Sequence, residues 1–454
     1  MINKTNVNNL GSQTTKSHVD LFILVLIVII IGFVYYQTLL PGIGYMGDVA
    51  KFQFLGKVLG TPHAPGYPNY LILNHFFVTI FPFGTLAFKA NLLSSFFTLG
   101  AAVILYLTMR QISVKPLISF SIVLSFCFAK TVWNQSIIAE VYSLNLLYVS
   151  LVTYFLLKWN ITKRDRFFYF GCFFYAISFG NHLIMISFLP AIVYVVIVTD
   201  NKAFINPKKI IAVLLFILIG LSQYYYLYWR TISPDTTYLE VKVNNLQDLF
   251  FLLTGGQFKG AVFEKLIIGQ VLIKIKKFVF YFVRELLFLI PFPLIGFLLS
   301  KLKPLRTFIL LGFVGNLLIS FSYNIDDIWV YLIPSYFFLS ILTAIGFEEI
   351  CSKLNDIKLK SILIFISISP LLFIGINYQR NDMSKNTLEK DYIENVLFQI
   401  NKNGLIIGPD YDQFEYIKYY LLGEGLGSKN NMTSLQKRLD EISPNYTLCK
   451  WPII

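Results

Sequence analysis

The chain has 454 residues, of which 56% are hydrophobic, 17% aromatic and only 14% charged. A soluble domain carries about 25% charged residues, so a single soluble globule is excluded, and the same hydrophobicity excludes a disordered chain. An all-α polytopic membrane protein remains. Its net charge of +13 is assigned to the orientation of its spans, with no nucleic-acid partner.

Residues 1–20 are polar and carry Lys4 and Lys16, whereas residues 21–40 are almost wholly apolar. Twenty helical residues span about 30 Å, enough to cross the hydrocarbon. No small-residue cleavage pattern follows, so the run reads as a retained signal anchor and first span. Apolar runs at 87–109, 116–132, 137–157, 167–181, 183–199, 210–228, 278–300, 307–323, 329–347 and 361–377 bring the expected count to eleven. The run 67–83 is interrupted by Asn74-His75 and ends at Phe81-Pro82-Phe83-Gly84. Charge decides how it lies. With 67–83 along the surface, the inner connections hold seventeen Lys/Arg, and the short outer connections 133–136, 182 and 324–328 hold none. With 67–83 crossing, fifteen of those seventeen move outside, against the positive-inside rule.

The charge pattern therefore predicts a cytoplasmic N-terminus (1–20) and a transmembrane domain over 21–377 with outer loops 41–86 and 229–277. The runs 167–181 and 183–199 are short for spans, but one long span would place basic loops on opposite sides, so a hairpin turning at Gly180-Asn181-His182 is expected. An amphipathic stretch at 246–253 lies in the second outer loop. The tail, 378–454, has nine Lys/Arg and ten Asp/Glu and reads as helix (387–400), strand (404–408) and helix (414–422). That predicts a small exported α/β appendage, too small to stand alone and packed on the outer loops. Cys127, Cys172, Cys351 and Cys449 lie far apart, with neither disulfide nor zinc spacing. The Ile/Asn/Lys-rich usage and the lack of a long luminal domain point to a prokaryotic inner membrane.

Ionisable groups in membrane segments are costly and usually functional. This topology brings Asp48, His63, Lys89, Glu140, Asn181, His182, Arg230, Asp326 and Asp327 to one outer face. Each has a structural alternative. Asp48 suits a helix cap, the histidines suit satisfied loop positions, Lys89 and Arg230 suit snorkelling to headgroups, and Asp326-Asp327 suits a polar loop. Glu140, inside an apolar run, is the hardest to explain without a function.

Three motifs carry a family resemblance: Gly47-Asp48-Val49-Ala50-Lys51-Phe52, then Thr61-Pro62-His63-Ala64-Pro65-Gly66-Tyr67-Pro68, then Phe88-Lys89-Ala90-Asn91. Together with Trp133-Asn134-Gln135-Ser136 leading to Glu140-Val141-Tyr142, Gly180-Asn181-His182 and the stretch ending at Trp229-Arg230, the sequence resembles a family related to transmembrane protein 260, whose bacterial members are filed as domain of unknown function 2723. The resemblance implies the GT-C fold and an inverting glycosyltransferase that takes a sugar, mannose or a similar hexose, from a polyprenyl phosphate at the outer face. The acceptor would be a protein Ser/Thr or a glycan. The resemblance places the base on Asp48 and offers His63, Lys89, His182 and Arg230 as phosphate partners. Glu140 would be the second catalytic carboxylate, fixing His182 or binding the sugar, and Tyr67, Tyr142, Asn181 and Asp327 would bind substrate. The chain departs from the family at Asn181-His182, often His-His, and at Lys89, often Arg.

Such a transfer needs a base for the acceptor proton and cations for the leaving phosphate. No carboxylate pair beyond Asp326-Asp327 has metal-ligand spacing, so no obligatory metal or other cofactor is expected. The alternative class is a transporter or flippase of lipid-linked sugars, which would favour internal repeats and mid-depth binding groups; neither is evident. Cysteine labelling tests the topology: Cys449 is expected to react with an impermeant reagent from outside, and reaction only from the cytoplasm would reverse every loop.

Overall fold

A computed structural model of the chain describes residues 18–256, 268–399 and 411–425. Among the described residues the chain is helical throughout, with one isolated parallel bridge, Thr61 to Leu239. Seven helices are long and apolar enough to cross a membrane: His18–Thr38, Leu86–Gln111, Tyr142–Thr162, Pro207–Ile232, Lys303–Ser322, Ile328–Cys351 and Asp356–Asn381. Two bent pairs, Pro116–Cys127 with Lys130–Ser136 and Val271–Leu289 with Pro291–Leu299, raise the number to nine. The outer helices present Leu21, Phe22, Phe33, Leu214 and Leu218 on their exposed faces, as lipid contact requires and water does not tolerate.

The expected count of eleven is not reached. The two runs that fall short are the hairpin arms: Asp165–Ser178 has 14 residues, and the second arm, Leu183–Thr199, opens as the 3-10 turn Leu183–Phe188. At 1.5 Å per residue, 14 residues reach only about 21 Å. The run 67–83 forms the helix Pro68–Ile80, 13 residues long and too short to span. The α/β appendage is not shown either. The described tail is helical, Leu388–Gln399 and Tyr411–Lys418 followed by one π-type turn at Tyr419–Gly423, and the expected strand at 404–408 lies outside the described residues.

A further difference concerns Glu140. The run 137–157 does not begin as helix: residues 137–141 form a non-helical link of bends and a turn, and the helix starts at Tyr142. Side chains of the neighbouring helix Leu86–Gln111 capture the backbone there, with the Ala139 amide donating to Asn91 Oδ1 (2.8 Å) and the Glu140 amide to Ser94 Oγ (3.4 Å). Asn91 is wholly buried and also donates to the Leu40 carbonyl (2.9 Å) while accepting from Gln53 Nε2 (3.0 Å). One amide group thus ties the end of the first span, the first loop and the link carrying Glu140 into one end of the bundle. At the same end, the Met383 amide donates to the Thr38 carbonyl and Trp133 Nε1 to Thr38 Oγ1. Charge locks the opposite end, where Arg110 pairs with Asp20 and Lys209 with both Asp165 and Asp200, each at 2.7 Å.

Replacing Asn91 by Leu strands the Ala139 amide and the Leu40 carbonyl in a buried site. Each lost partner costs about 1–3 kcal/mol, so the detergent-solubilised Asn91→Leu protein is expected to melt well below the wild type. An unchanged midpoint would contradict the role given to Asn91.

Candidate active site

The site is built on a short buried helix, Gly47–Val58, directly after the first span. Its N-cap is Met46 in extended backbone with no side-chain capping bond, and Asp48 sits inside the first turn, which removes the capping explanation for Asp48. Asp48 and Lys51 are one turn apart and share a face. Lys51 has no exposed surface and uses all three ammonium protons: toward Asp48 Oδ1 (3.1 Å), Glu240 Oε2 (2.7 Å) and His63 Nδ1 (3.0 Å). Because Lys51 donates to Nδ1, His63 is neutral with its proton on Nε2, which donates to the Tyr67 hydroxyl (3.1 Å). Burial and the Lys51 charge both lower the His63 pKa, in keeping with that tautomer.

The tail closes the other side. Tyr411 donates its hydroxyl to Asp48 Oδ1 (3.0 Å), and the ring lies against Lys51, 4.9 Å from its nitrogen. Asp412 accepts from the Gly47 amide (2.8 Å). A Cβ on Gly47 would stand 2.5 Å from Asp412 Oδ1 and 2.8 Å from the Tyr411 ring, so this approach requires glycine. Glu415, fully buried, pairs with Lys418 (2.8 Å) and receives the Tyr238 hydroxyl, which also reaches Glu240. Burial opposes the Asp48 charge, but the Lys51 ammonium and the hydrogen bonds from Lys51 and Tyr411 hold the carboxyl well below its usual range. Every described partner of Asp48 is on Oδ1, and Oδ2 has none among the described residues.

From Asp48 the contacts run inward through aromatic rings. His63 meets Tyr67 (5.4 Å between centroids), Tyr67 meets His182 (6.1 Å), and His182 meets both Tyr142 (5.7 Å) and Tyr331 (5.2 Å). His182 Nδ1 accepts from the Ile184 amide (3.1 Å), so its proton sits on Nε2, which is buried without a partner. Burial drives its pKa down to about 3. Asn181 donates to the Val141 carbonyl (3.1 Å) and holds the Glu140 link against the hairpin turn; its Oδ1 is buried and unpartnered. The Glu140 carboxyl accepts from the amide of Val141, and burial, then the charges of Asp48 and Asp327, raise its pKa well above the usual range. Burial thus pushes the Glu140 carboxyl toward its protonated form, while the ion pair with Lys51 favours the Asp48 carboxylate. Glu140 does not fix His182, whose orientation comes from Ile184 instead. Asp327, beside Tyr331, is raised by burial and by the charges of Asp48 and Asp326.

The structure therefore brings Asp48, His63, Tyr67, Glu140, Tyr142, Asn181, His182 and Asp327 into one cluster, called the chamber below. It leaves two expected residues outside it. Lys89 donates to the Val78 carbonyl (3.3 Å), and Arg230 donates to the Leu59 carbonyl (2.7 Å) while stacking on Trp229. Arg230 pins the first loop beside the Thr61 bridge to the second. Lys51, Glu240, Tyr411 and Tyr331 were not singled out from the sequence. Lys51 was signalled by its spacing of three from Asp48; the others come from distant segments and carry no local signal.

Residues 48–205 match the family model described as protein O-mannosyl-transferase TMEM260 N-terminal domain. Eight of the ten expected site residues, Asp48 through His182, fall inside that match, and Arg230 and Asp327 fall beyond it. Over that stretch the chain is similar to the TMEM260 family. It is similar to protein O-mannosyl-transferase TMEM260 of Mus musculus, 29% identical over 205 residues, covering 44% of this chain and 28% of the relative. It is also similar to protein O-mannosyl-transferase tmem260 of Dictyostelium discoideum, 25% identical over 448 residues, covering 85% of this chain and 53% of the relative. The chain spans about half, or less, of the length of these TMEM260 relatives.

The His182 shift has a consequence for stability. The folded state excludes a proton that the unfolded chain takes up below the ordinary histidine value of 6.5. The stability from this group is complete above that pH and is lost as pH falls toward 3, by at most about 1.4 kcal/mol per pH unit. His182→Asn keeps a capping acceptor and cannot titrate. Thermal melts are expected to show wild type losing more stability than the variant between pH 7 and pH 5; parallel curves would contradict a buried neutral His182.

Proposed function

We propose that the chain is a membrane glycosyltransferase of the GT-C type that moves mannose or a similar hexose from a polyprenyl-phosphate carrier to a hydroxyl acceptor, a protein Ser/Thr side chain. The site faces the outer side of the membrane, with the N-terminus inside and the tail outside. The observation that carries this reading is the convergence of Asp48, fixed at Oδ1 by Lys51 and Tyr411, with Glu140 and the His63–Tyr67–His182 ring contacts in one cluster. The two carboxyls are pushed in opposite directions, Asp48 down and Glu140 up, which suits a division into base and acid. The names of the two relatives support mannose transfer to protein.

In the proposed reaction the acceptor hydroxyl donates to Asp48 Oδ2 and its oxygen attacks the anomeric carbon. The bond from that carbon to the phosphate oxygen breaks, the electron pair leaves with the lipid phosphate, and the acceptor proton ends on Asp48. A single displacement inverts the configuration. Lys51 and Tyr411 hold Oδ1, so Asp48 cannot turn away. The unpartnered Nε2–H of His182 and the protonated Glu140 carboxyl are donors available to the sugar hydroxyls, and the rings of Tyr67, Tyr142 and Tyr331 offer flat apolar faces to the sugar.

Asp48→Asn tests the base. The amide keeps the size and an acceptor oxygen for Lys51 and Tyr411, but it cannot take a proton. The expected result is normal folding yield, near-normal donor binding and a turnover loss on the order of 100-fold or more. Full transfer activity in the purified variant would remove Asp48 from the mechanism.

A further inference from the structure

A second polar cluster lies beside the chamber, where three helices meet at the same end of the bundle. Arg284, on Ile268–Leu286, donates Nε (2.9 Å) and Nη2 (2.8 Å) to Glu285, and Nη2 also to Thr131 Oγ1 (2.8 Å). Glu285 is buried and accepts in addition from the Thr131 amide (2.8 Å) and hydroxyl. The guanidinium is thus fixed along one edge, and its Nη1 has no partner among the described residues. Its plane is held against Tyr281 (5.1 Å) and Trp329 (5.5 Å). Lys130, next to Thr131, is half-buried, and the charges of Arg284, Glu285 and Arg380 bear on it. Neither Lys130 nor Arg380 has a hydrogen-bond or ion-pair partner among the described residues. Arg380 is brought there by the end of Asp356–Asn381, where Asn377 donates to the Phe128 carbonyl (3.0 Å) and Tyr378 packs on Trp133.

Three cations, Arg284 and Lys130 partly buried and Arg380 exposed, share one buried carboxylate, which leaves an excess of positive charge. Mutual repulsion between such groups is relieved by an anion. Arg284 lies over the ring of Trp329 (5.5 Å), and Tyr331, two residues on, meets His182 of the site above (5.2 Å). The short segment 327–331 thus connects the two clusters. The cluster sits at the ends of apolar helices, within reach of a membrane-borne ligand. We propose that Arg284, Lys130 and Arg380 bind the phosphate ester of a membrane lipid. Resting on the proposed transferase reading, that ester is the carrier phosphate of the donor; a phospholipid headgroup offers the same chemistry. Lys89 and Arg230, both spent on backbone carbonyls, leave this cluster as the better-placed phosphate site.

The test is binding of sugar-free polyprenyl monophosphate to the full chain in phosphatidylcholine nanodiscs, which needs no catalysis. Lys130→Gln and Arg380→Gln break no described bond and should fold; each is expected to weaken binding about tenfold. Arg284→Gln should weaken it further, with Arg284→Lys recovering part. Asp48→Asn should bind normally, which separates failure of this site from failure of the transferase reading. Added phosphatidylglycerol distinguishes the two sources: competition in wild type that disappears in Lys130→Gln marks a general lipid-phosphate site, and absence of competition marks the carrier. Wild-type affinity for both lipids in Lys130→Gln and Arg380→Gln would overturn the proposal.

Discussion

The arrangement turns on one ammonium group. Lys51 is fully removed from solvent, and a buried cation without partners is prohibitively costly. Its three protons therefore need three acceptors, and those acceptors come from separate parts of the chain: Asp48 one turn earlier, His63 from the loop beyond, and Glu240 from the second large loop. The tail contributes the Tyr411 ring over the same nitrogen. Segments far apart in sequence are drawn to one point because each supplies part of what Lys51 requires. The same ammonium sets the chemistry, since its charge favours the Asp48 carboxylate and, with burial, the neutral form of His63.

Burial acts differently a few ångströms deeper. At Glu140 no cation is close enough to offset the loss of water, so the carboxyl is pushed toward its protonated form. The two carboxyls, one on each side of the Tyr67–His182 contact, reach opposite states by the same physics applied with and without an ion pair. The second cationic cluster, around Arg284, extends the pattern. Its single counter-charge, Glu285, orients the guanidinium without neutralising the group as a whole.

Much of this was legible in the sequence because it depends on local composition. Apolar runs located the spans, and the Lys/Arg bias placed Asp48, Glu140 and His182 at one end. The count of eleven overshot because hydropathy does not register helix length lost to a turn: the Leu183–Phe188 segment is apolar but winds as 3-10. The start of the helix at Tyr142 was also hidden, since the side chains that unwind residues 137–141 belong to another helix. Arg230 looked like a free cation because its acceptor, the Leu59 carbonyl, lies 171 residues away. Glu240 and Tyr411 were invisible for the same reason, being defined by partners rather than by their neighbours in sequence.

The most direct measurement is a structure of the full chain bound to a polyprenyl-phosphonate hexose, a donor analogue that cannot transfer its sugar. The sugar ring is expected inside the chamber, its anomeric carbon facing Asp48 Oδ2 and its hydroxyls toward Glu140 and His182 Nε2, with the phosphonate directed to the cations near Trp329. A sugar bound on the far side of the first loop, beside Lys89 or Arg230, with the chamber empty, would contradict the assignment of Asp48 as the base.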